Sequence, residues 1–419
     1  MLGTRPGSGS NGDRSMQSAN QGDGVNDDIG LGEELGVVPI AAHGDLVLRI
    51  EHQTTTLRAS GGFKVNTDVL KQHSKYFERL LQPGRFGEGS AVEAQHRLLR
   101  ERYQSLTDVP ASELPSLTVK DLGRISVKSL TTLCADFLCI LHVSNLANLV
   151  IVADRFDALD AVKSYVGRKR ILRAIEGKTT AKGDTALSEE KVRQRLLVAV
   201  MLEYPPWVDR YSARLIAKGW VGREPEMDTA LWWDLPSRIE DELAFRRECA
   251  LETVQWIQSY FLGLYTSRAR QCKLGYDSSS QCDSFQLGEM VRFFTRAGTL
   301  RLQGGLFDGT DSPEPFAGDL NLTLETLRQV PEYQIDKHHS HCGIRTRLIP
   351  LLDLVAECLL HIGICSECWT SARQEHAWTE AKRPILWKRQ SFAFRVQGHG
   401  NNHTDLRAMF MAADRDWEH

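Results

Sequence analysis

The sequence predicts an α+β fold, with a small sheet flanked by helices near the N-terminus followed by a mainly α-helical region. Three observations carry this. Leu46, Leu48 and Ile50 alternate with Val47, Arg49 and Glu51, the period-2 pattern of a half-buried strand. From Thr67 the apolar period lengthens to that of a helix and stays so over most of the remaining chain. At 419 residues the chain exceeds what one hydrophobic core usually serves, so two or three domains are expected.

Residues 1–43 are rich in Gly, Ser, Asn, Asp and Gln and poor in aromatics. Such a segment buries too little apolar surface to offset its ordering entropy and reads as disordered. A formal G-x-G-x-x-G match at Gly7, Gly9 and Gly12 lacks the strand before and the helix after that a phosphate loop requires. Order begins at Asp45. A β-prone run at 54–59 follows the 46–51 strand closely enough to pair as a hairpin. Gly61-Gly62 then breaks the chain, and 63–65 extends the sheet. Val69, Leu70, His73, Phe77, Leu80 and Leu81 share one helix face, which Pro83-Gly84 ends.

Residues 87–115 are polar and read as an exposed excursion, helical around 93–103. A short strand fits 116–119. Two amphipathic helices, 127–141 and 146–166, are joined tightly near Ser144-Asn145, which makes them antiparallel neighbours. Residues 171–187 read as a linker. Beyond it, 192–202 is a helix that Pro205-Pro206 terminates. Ser237 and Glu240 form a capping box before the pattern Leu243, Cys249, Val254, Ile257, Phe261, Leu264. Asp283 and Gln286 make a comparable start for 287–294, 304–318 is a loop, and helices follow at 322–329 and 345–362. The expected organisation is a sheet-and-helix domain at 44–170, helical regions at 188–303 and 304–380, and a C-terminal tail at 381–419.

Composition narrows the function classes. Hydrophobic residues are 42%, charged residues 25% and the formal net charge −3, an ordinary globular balance without the bulk basicity of a nucleic-acid or membrane-surface binder. No apolar run reaches the roughly 20 residues that span a bilayer, and no signal-peptide core is present. The expected location is therefore cytoplasmic or nuclear, not secreted. Nine cysteines, an odd number, make no disulfide framework. Cys134, Cys139, Cys249 and Cys358 sit in helical apolar patterns and read as buried thiols.

One constellation has metal-ligand spacing, His339-x-x-Cys342-Gly343 followed by Cys365-x-x-Cys368. The two-residue spacing lets both side chains of a pair reach one ion, and four N/S ligands would hold one structural zinc. His341 is an alternative to His339, and the competing reading is unrelated thiols beside a surface histidine cluster. Cys272 and Cys282 are a weaker candidate for a second metal or redox pair. His376, His399 and His403 read most simply as exposed loop residues. No G-x-S-x-G elbow or oxyanion donor is apparent, and no enzyme activity is expected. Lys382, Arg383, Lys388, Arg389 and Arg395 interleave with Trp387, Phe392 and Phe394. That mixture could stack bases and contact phosphate, although such a tail more often docks on its own protein.

The segment Gly44-Asp45-Leu46-Val47-Leu48-Arg49-Ile50, then Phe63-Lys64-Val65-Asn66-Thr67-Asp68-Val69-Leu70, then Ser74-Lys75-Tyr76-Phe77 resembles the BTB/POZ domain. Leu149-Val150-Ile151-Val152-Ala153-Asp154-Arg155-Phe156 is similar to that family's later helix pair. The resemblance covers 44–170. The rest resembles the C-terminal extension of a group of fungal BTB-like proteins, through 203–207, 219–224, 232–240 and 271–289. The resemblance implies an interaction domain, with Asp45, Phe63, Leu70 and Phe77 as candidate interaction residues. Core is the simplest reading of Leu70 and Phe77. Departures are specific. The family commonly has His where Asn66 stands. Its repressor-type members have Arg where Thr67 stands, pairing with the Asp that matches Asp45, so their charged groove is not expected here. The resemblance implies a scaffold or adaptor that meets protein partners, self-associates as a homodimer or recruits ubiquitin-ligase machinery through a cullin-type scaffold. The alternative is a nucleic-acid-associated regulator with a structural zinc module.

Overall fold

Four strands form one sheet: β1 (Leu35–Pro39), β2 (Leu46–Gln53), β3 (Arg58–Val65) and β4 (Ser116–Lys120), in the order β1-β3-β2-β4. These come from a computed structural model that describes residues 35–53, 58–120, 142–223, 231–236, 238–272, 274, 279–300, 316–389 and 401–417. The expected disordered stretch up to residue 34, the Gly7–Gly9–Gly12 match and the helix at 127–141 with Cys134 and Cys139 lie outside the described residues.

The alternation in β2 sends Leu46 to one face, with Phe63, Val65, Leu117 and Val119, and Val47 to the other, with Leu99, Val109 and Leu114. β2 and β3 are antiparallel, with Leu48 opposite Phe63 and Arg49 opposite Gly62, while β1 and β4 join in parallel. Two expectations are corrected here. Order starts before residue 44, because Val37 and Val38 pair with β3 although Gly36 and Pro39 hide the pattern. Nor does Gly61-Gly62 break the chain: a Cβ at Gly62 would meet the Val37 side chain at 3.1 Å, so the glycine is what admits β1.

The helix face at 67–81 is two helices, α1 (Thr67–His73) and α2 (Lys75–Leu80), separated by Ser74 in extended backbone. The Ser74 hydroxyl accepts from the Phe77 N–H at 3.1 Å and donates to the Phe156 carbonyl at 2.5 Å. The supposed excursion contains α3 (Gly87–Arg102), which buries Val92, His96 and Leu99. His96 Nε2 donates to the Asp45 carbonyl at 2.8 Å, so this segment covers the sheet rather than leaving it.

The pattern at 146–166 is likewise divided, into α4 (Val143–Arg155) and α5 (Leu159–Arg168), with Asp157 at φ 49° in between. The expected linker is instead α6 (Ile171–Lys178) and α7 (Ala181–Thr185), and Ile171, Leu172 and Ile175 are buried. Then come α8 (Glu189–Met201), α9 (Pro205–Lys218), α10 (Ile239–Thr266), α11 (Ser279–Arg296), α12 (Leu320–Arg328), α13 (Arg345–Leu359), α14 (Ser366–Ser371) and α15 (Arg373–His376). Last are β5 (Leu386–Lys388), α16 (Asn401–Met411) and β6 (Asp414–Asp416). Ser237 is outside the described residues, and Arg238 occupies the N-cap of α10.

One large core runs from Leu146 to Trp417, so the boundaries expected at 170/171, 187/188, 303/304 and 380/381 are not breaks in packing. Within it α8 is buried on every side from Val192 to Ala199, including the charges of Arg193 and Arg195. Arg193 pairs with Glu240 at 2.9 and 3.1 Å and lies 4.4 Å over the Trp233 ring; Arg195 meets Tyr211 and Asp184. These partners are what make a buried guanidinium tolerable. The C-terminal segment is part of the body. Trp387 is buried edge-on against Trp417, with ring centroids 4.9 Å apart, and Arg383 pairs with Glu252 at 3.1 Å. Two of the residues that suggested base stacking and phosphate contact are thus engaged internally, while Phe392, Phe394 and Arg395 lie outside the described residues. Among the described residues, no helix is long and apolar enough to cross a membrane.

Candidate metal centre

Among the described residues, two Cys/His clusters are able to hold a metal ion, and the expected four-ligand set is divided between them. In the first, Cys272, Cys282 and His339 present ligand atoms all within 4.8 Å of one another, and Cys342 Sγ lies 3.7 Å from Cys272 Sγ. In the second, Cys365 and Cys368 meet His403 within the same limit. His339-x-x-Cys342 and Cys365-x-x-Cys368 are therefore half-sites of different centres. The correction has a simple origin: spacing within a turn fixes which two side chains point together, but not which distant segment completes the set.

The first centre gathers three segments. Cys272 follows the end of α10, Cys282 lies in the first turns of α11, and His339 and Cys342 come from the loop before α13. Asp283, expected as a helix cap, sits inside α11. Its carboxylate accepts from the backbone N–H groups of Gln271 and Cys272, both at 2.9 Å, and thereby holds the Cys272 strand of the site against α11. Tyr265 donates to the Cys342 carbonyl at 2.8 Å and itself accepts from Arg347 at 2.8 Å, fixing the other arm. His341 carries the positive φ of 69° and is exposed, while a Cβ at Gly343 would press on Gln286 Oε1 at 3.1 Å. This resolves the choice between the two histidines in favour of His339, which is 1% exposed.

His339 Nδ1 donates to Asp336 Oδ1 at 2.9 Å, which leaves Nε2 as the nitrogen for the cluster. A carboxylate behind a histidine is the arrangement that sets the ligating tautomer in metal sites. It also raises the affinity of the imidazole for a proton above its ordinary value. Burial opposes ionisation of Cys272, yet the Leu274 backbone N–H and the neighbouring thiols outweigh it, so this thiol ionises more readily than usual. Burial pushes the Cys282 thiol strongly the other way. A cation among these sulfurs would relieve that conflict.

The second cluster is carried by the turn between α13 and α14 and by α16. Cys365 is the N-cap of α14 and Cys368 lies in its first turn. Burial and the adjacent Cys365 sulfur raise the Cys368 thiol to about 11. His403, expected in an exposed loop, is half-buried on α16, and His376 lies at the end of α15; both line a cavity of about 20 Å³ beside the sulfurs. His399 lies outside the described residues. Cys249 and Cys358 are buried thiols as expected, each pushed up to about 12 by burial.

The candidate interaction residues take internal positions. Phe63 and Phe77 are buried in the sheet core, and Leu70 is half-buried against it. Asp45 is occupied locally: its carboxylate accepts from the Thr67 N–H at 2.7 Å and the Thr67 hydroxyl at 2.6 Å. Thr67 thus gives Asp45 a neutral partner where an arginine would give a charged one. Phe63 and Phe77 therefore build the core, while Asp45 and Leu70 remain partly exposed. Asp336 and the pairing of Cys272 with Cys342 were not read from the sequence. The one available signal was Cys272 and Cys282 themselves, ten positions apart and so too far to recognise as one turn. Compared with known proteins, the chain matches no family model, no curated protein and no solved structure.

Proposed function

We propose that this protein is an interaction scaffold whose helical body is held in shape by a structural zinc ion at Cys272, Cys282, His339 and Cys342. One observation carries the metal assignment. A zinc–sulfur bond of about 2.3 Å in a tetrahedron puts neighbouring sulfurs about 3.8 Å apart, and Cys272 and Cys342 stand at 3.7 Å. Three thiolates and an imidazole form a soft donor set that suits zinc. Four protein ligands close the coordination shell and leave no position for water or substrate, so the ion joins the α10 end, α11 and the 339–342 loop.

The scaffold reading is supported by the BTB/POZ resemblance of 44–170 and by apolar side chains facing outward from the helices around the sheet. Val69 on α1, Tyr76 on α2 and Leu98 on α3 are all exposed. β1 and β4 are the outer strands of the sheet, and an outer strand invites pairing with a partner chain. The partner is protein, a second copy of the chain or a cullin-type scaffold.

The zinc is tested by elemental analysis and native mass spectrometry of the full chain, with Cys272→Ser/Cys282→Ser losing one ion. Retention of the full metal content in that variant refutes the centre. Self-association is tested by light scattering, where a dimer should shift toward monomer in Val69→Asp/Leu98→Asp. A strict monomer that also binds no cullin-type scaffold rules out the interaction reading and leaves the metal centre standing.

A further inference from the structure

The second cluster lies outside the centre just described, and nothing in the first centre depends on it. We propose that Cys365, Cys368 and His403, completed by His361, form a separate Cys₂His₂ zinc site that fastens α16 to the helical body.

Three of the four donors already converge within 4.8 Å of one another. The fourth follows from where the chain runs. His361 precedes Cys365 on the same turn and lines the same cavity, whose volume of about 20 Å³ suits one ion or one water and no substrate. Two thiolates and two imidazoles balance the charge of a divalent ion and match the soft, tetrahedral preference of zinc. Loading releases the two thiol protons to solvent as the two zinc–sulfur bonds form.

The turn that presents His361 and Cys365 is clamped from both sides by buried groups. Arg246 donates to the carbonyls of Ile362 at 2.9 Å and Gly363 at 2.6 Å, and the Ile364 N–H donates to the Ser212 hydroxyl at 2.7 Å. Gly363 presses so closely on α9 that a Cβ would stand 2.2 Å from the Asp209 carbonyl oxygen. Only glycine allows the turn to sit that deep. Arg246 is in turn held by Glu242 at 2.8 Å and lies 4.8 Å over the Trp378 ring. The Asp209 carboxylate lies near enough to interact electrostatically with both His361 and His403. A turn fixed this firmly, with donors aimed at a cavity of ionic size, is a prearranged ligand set.

The site would do something the first does not. His403 belongs to α16, whose Leu406, Met409 and Phe410 are buried against the body. A bond from zinc to His403 adds a cross-link between this last helix and the turn after α13.

The test uses the full chain. Wild type is expected to carry two zinc ions, Cys365→Ser/Cys368→Ser one, and Cys272→Ser/Cys282→Ser one. A wild type with a single zinc that survives Cys365→Ser/Cys368→Ser overturns this site while leaving the first centre intact. If the serine variant does not fold, X-ray absorption on wild type still decides. The two sites together average about 2.5 sulfurs per zinc, against 3 for the first centre alone. His361→Ala should weaken zinc binding at this site at least about tenfold, and unchanged affinity overturns its role as fourth ligand. Chelation should speed hydrogen exchange in α16, and exchange that ignores zinc overturns the fastening.

Discussion

Glu242 is a buried anion that ties α10 to the segment at Trp378 and Thr379, and its replacement by leucine is expected to be among the more damaging single changes. Its side chain is 0% exposed. Its carboxylate accepts from Arg246 Nε at 2.8 Å, the Trp378 N–H at 2.9 Å, the Thr379 N–H at 3.2 Å and the Thr379 hydroxyl at 3.0 Å. Glu242→Leu leaves the Arg246 charge buried without its counter-ion, which costs about 3–5 kcal/mol. Counting the two orphaned backbone N–H groups separately, at about 1–3 kcal/mol each, gives a similar range. A loss of about 4 kcal/mol corresponds to a fall in Tm of about 7 °C for a body of about 270 residues. Urea denaturation followed by tryptophan fluorescence measures it, with Trp378 beside the site as a local reporter. Adding Arg246→Met should recover part of the loss, since no unpaired charge then remains. A loss under about 1 kcal/mol would refute the assignment of Glu242 as the tie between these segments.

The same residue predicts an acid response. Burial raises the Glu242 pKa, but Arg246 and the backbone donors of Trp378 and Thr379 outweigh it, and the carboxyl lies below its ordinary value of 4.5. The folded state therefore binds this proton less readily than the unfolded chain. Its stabilisation is complete above about pH 4.5 and is lost as pH falls through the lower folded value. Glu242→Gln should flatten the stability profile in that acid window, and an unchanged profile counts against the linkage. Asp336→Ala should lower zinc affinity at the first centre about 10–100-fold by removing the acceptor behind His339, measured by chelator competition; an unchanged affinity would show that Asp336 does not position the ligand. Gly363→Ala should cost about 1–3 kcal/mol because its Cβ meets backbone oxygen rather than a movable side chain. A neutral effect on Tm would mean that the turn after α13 can move.

What the sequence made legible tracks the range of the physics involved. β2 and β4 could be read because alternation is local. The cores of α8, α10 and α13 could be read because helical periodicity persists over several turns. The breaks at Ser74 and Asp157 escaped notice because Phe77 and Phe156 keep an apolar rhythm across them while stacking on each other, with ring centroids 5.2 Å apart. The segment 171–187 looked like a linker because its charges dominate, although Ile171, Leu172 and Ile175 suffice to dock its first helix on the core. For the two Cys/His clusters, one pair of each was legible as a pair within a turn. The completing residues were not, because Cys272 is 70 positions from Cys342 and only the packing of α10, α11 and α13 brings them together. His403 was misread because Gly400, Asn401 and Asn402 before it suggest a loop, yet it lies near the start of α16.

The position of α4 has a practical consequence. Leu146, Ala147, Leu149 and Val150 belong to the large helical core, while Ile151, Val152 and Phe156 pack on the sheet. One helix is thus a shared wall between two rooms, and a fragment trimmed at residue 170 would strip one side of it bare. Such a fragment would stick to itself for reasons unrelated to biology, and a dimer seen in it would mislead. Partner screens and crystallisation trials with this protein should keep the wall covered on both sides.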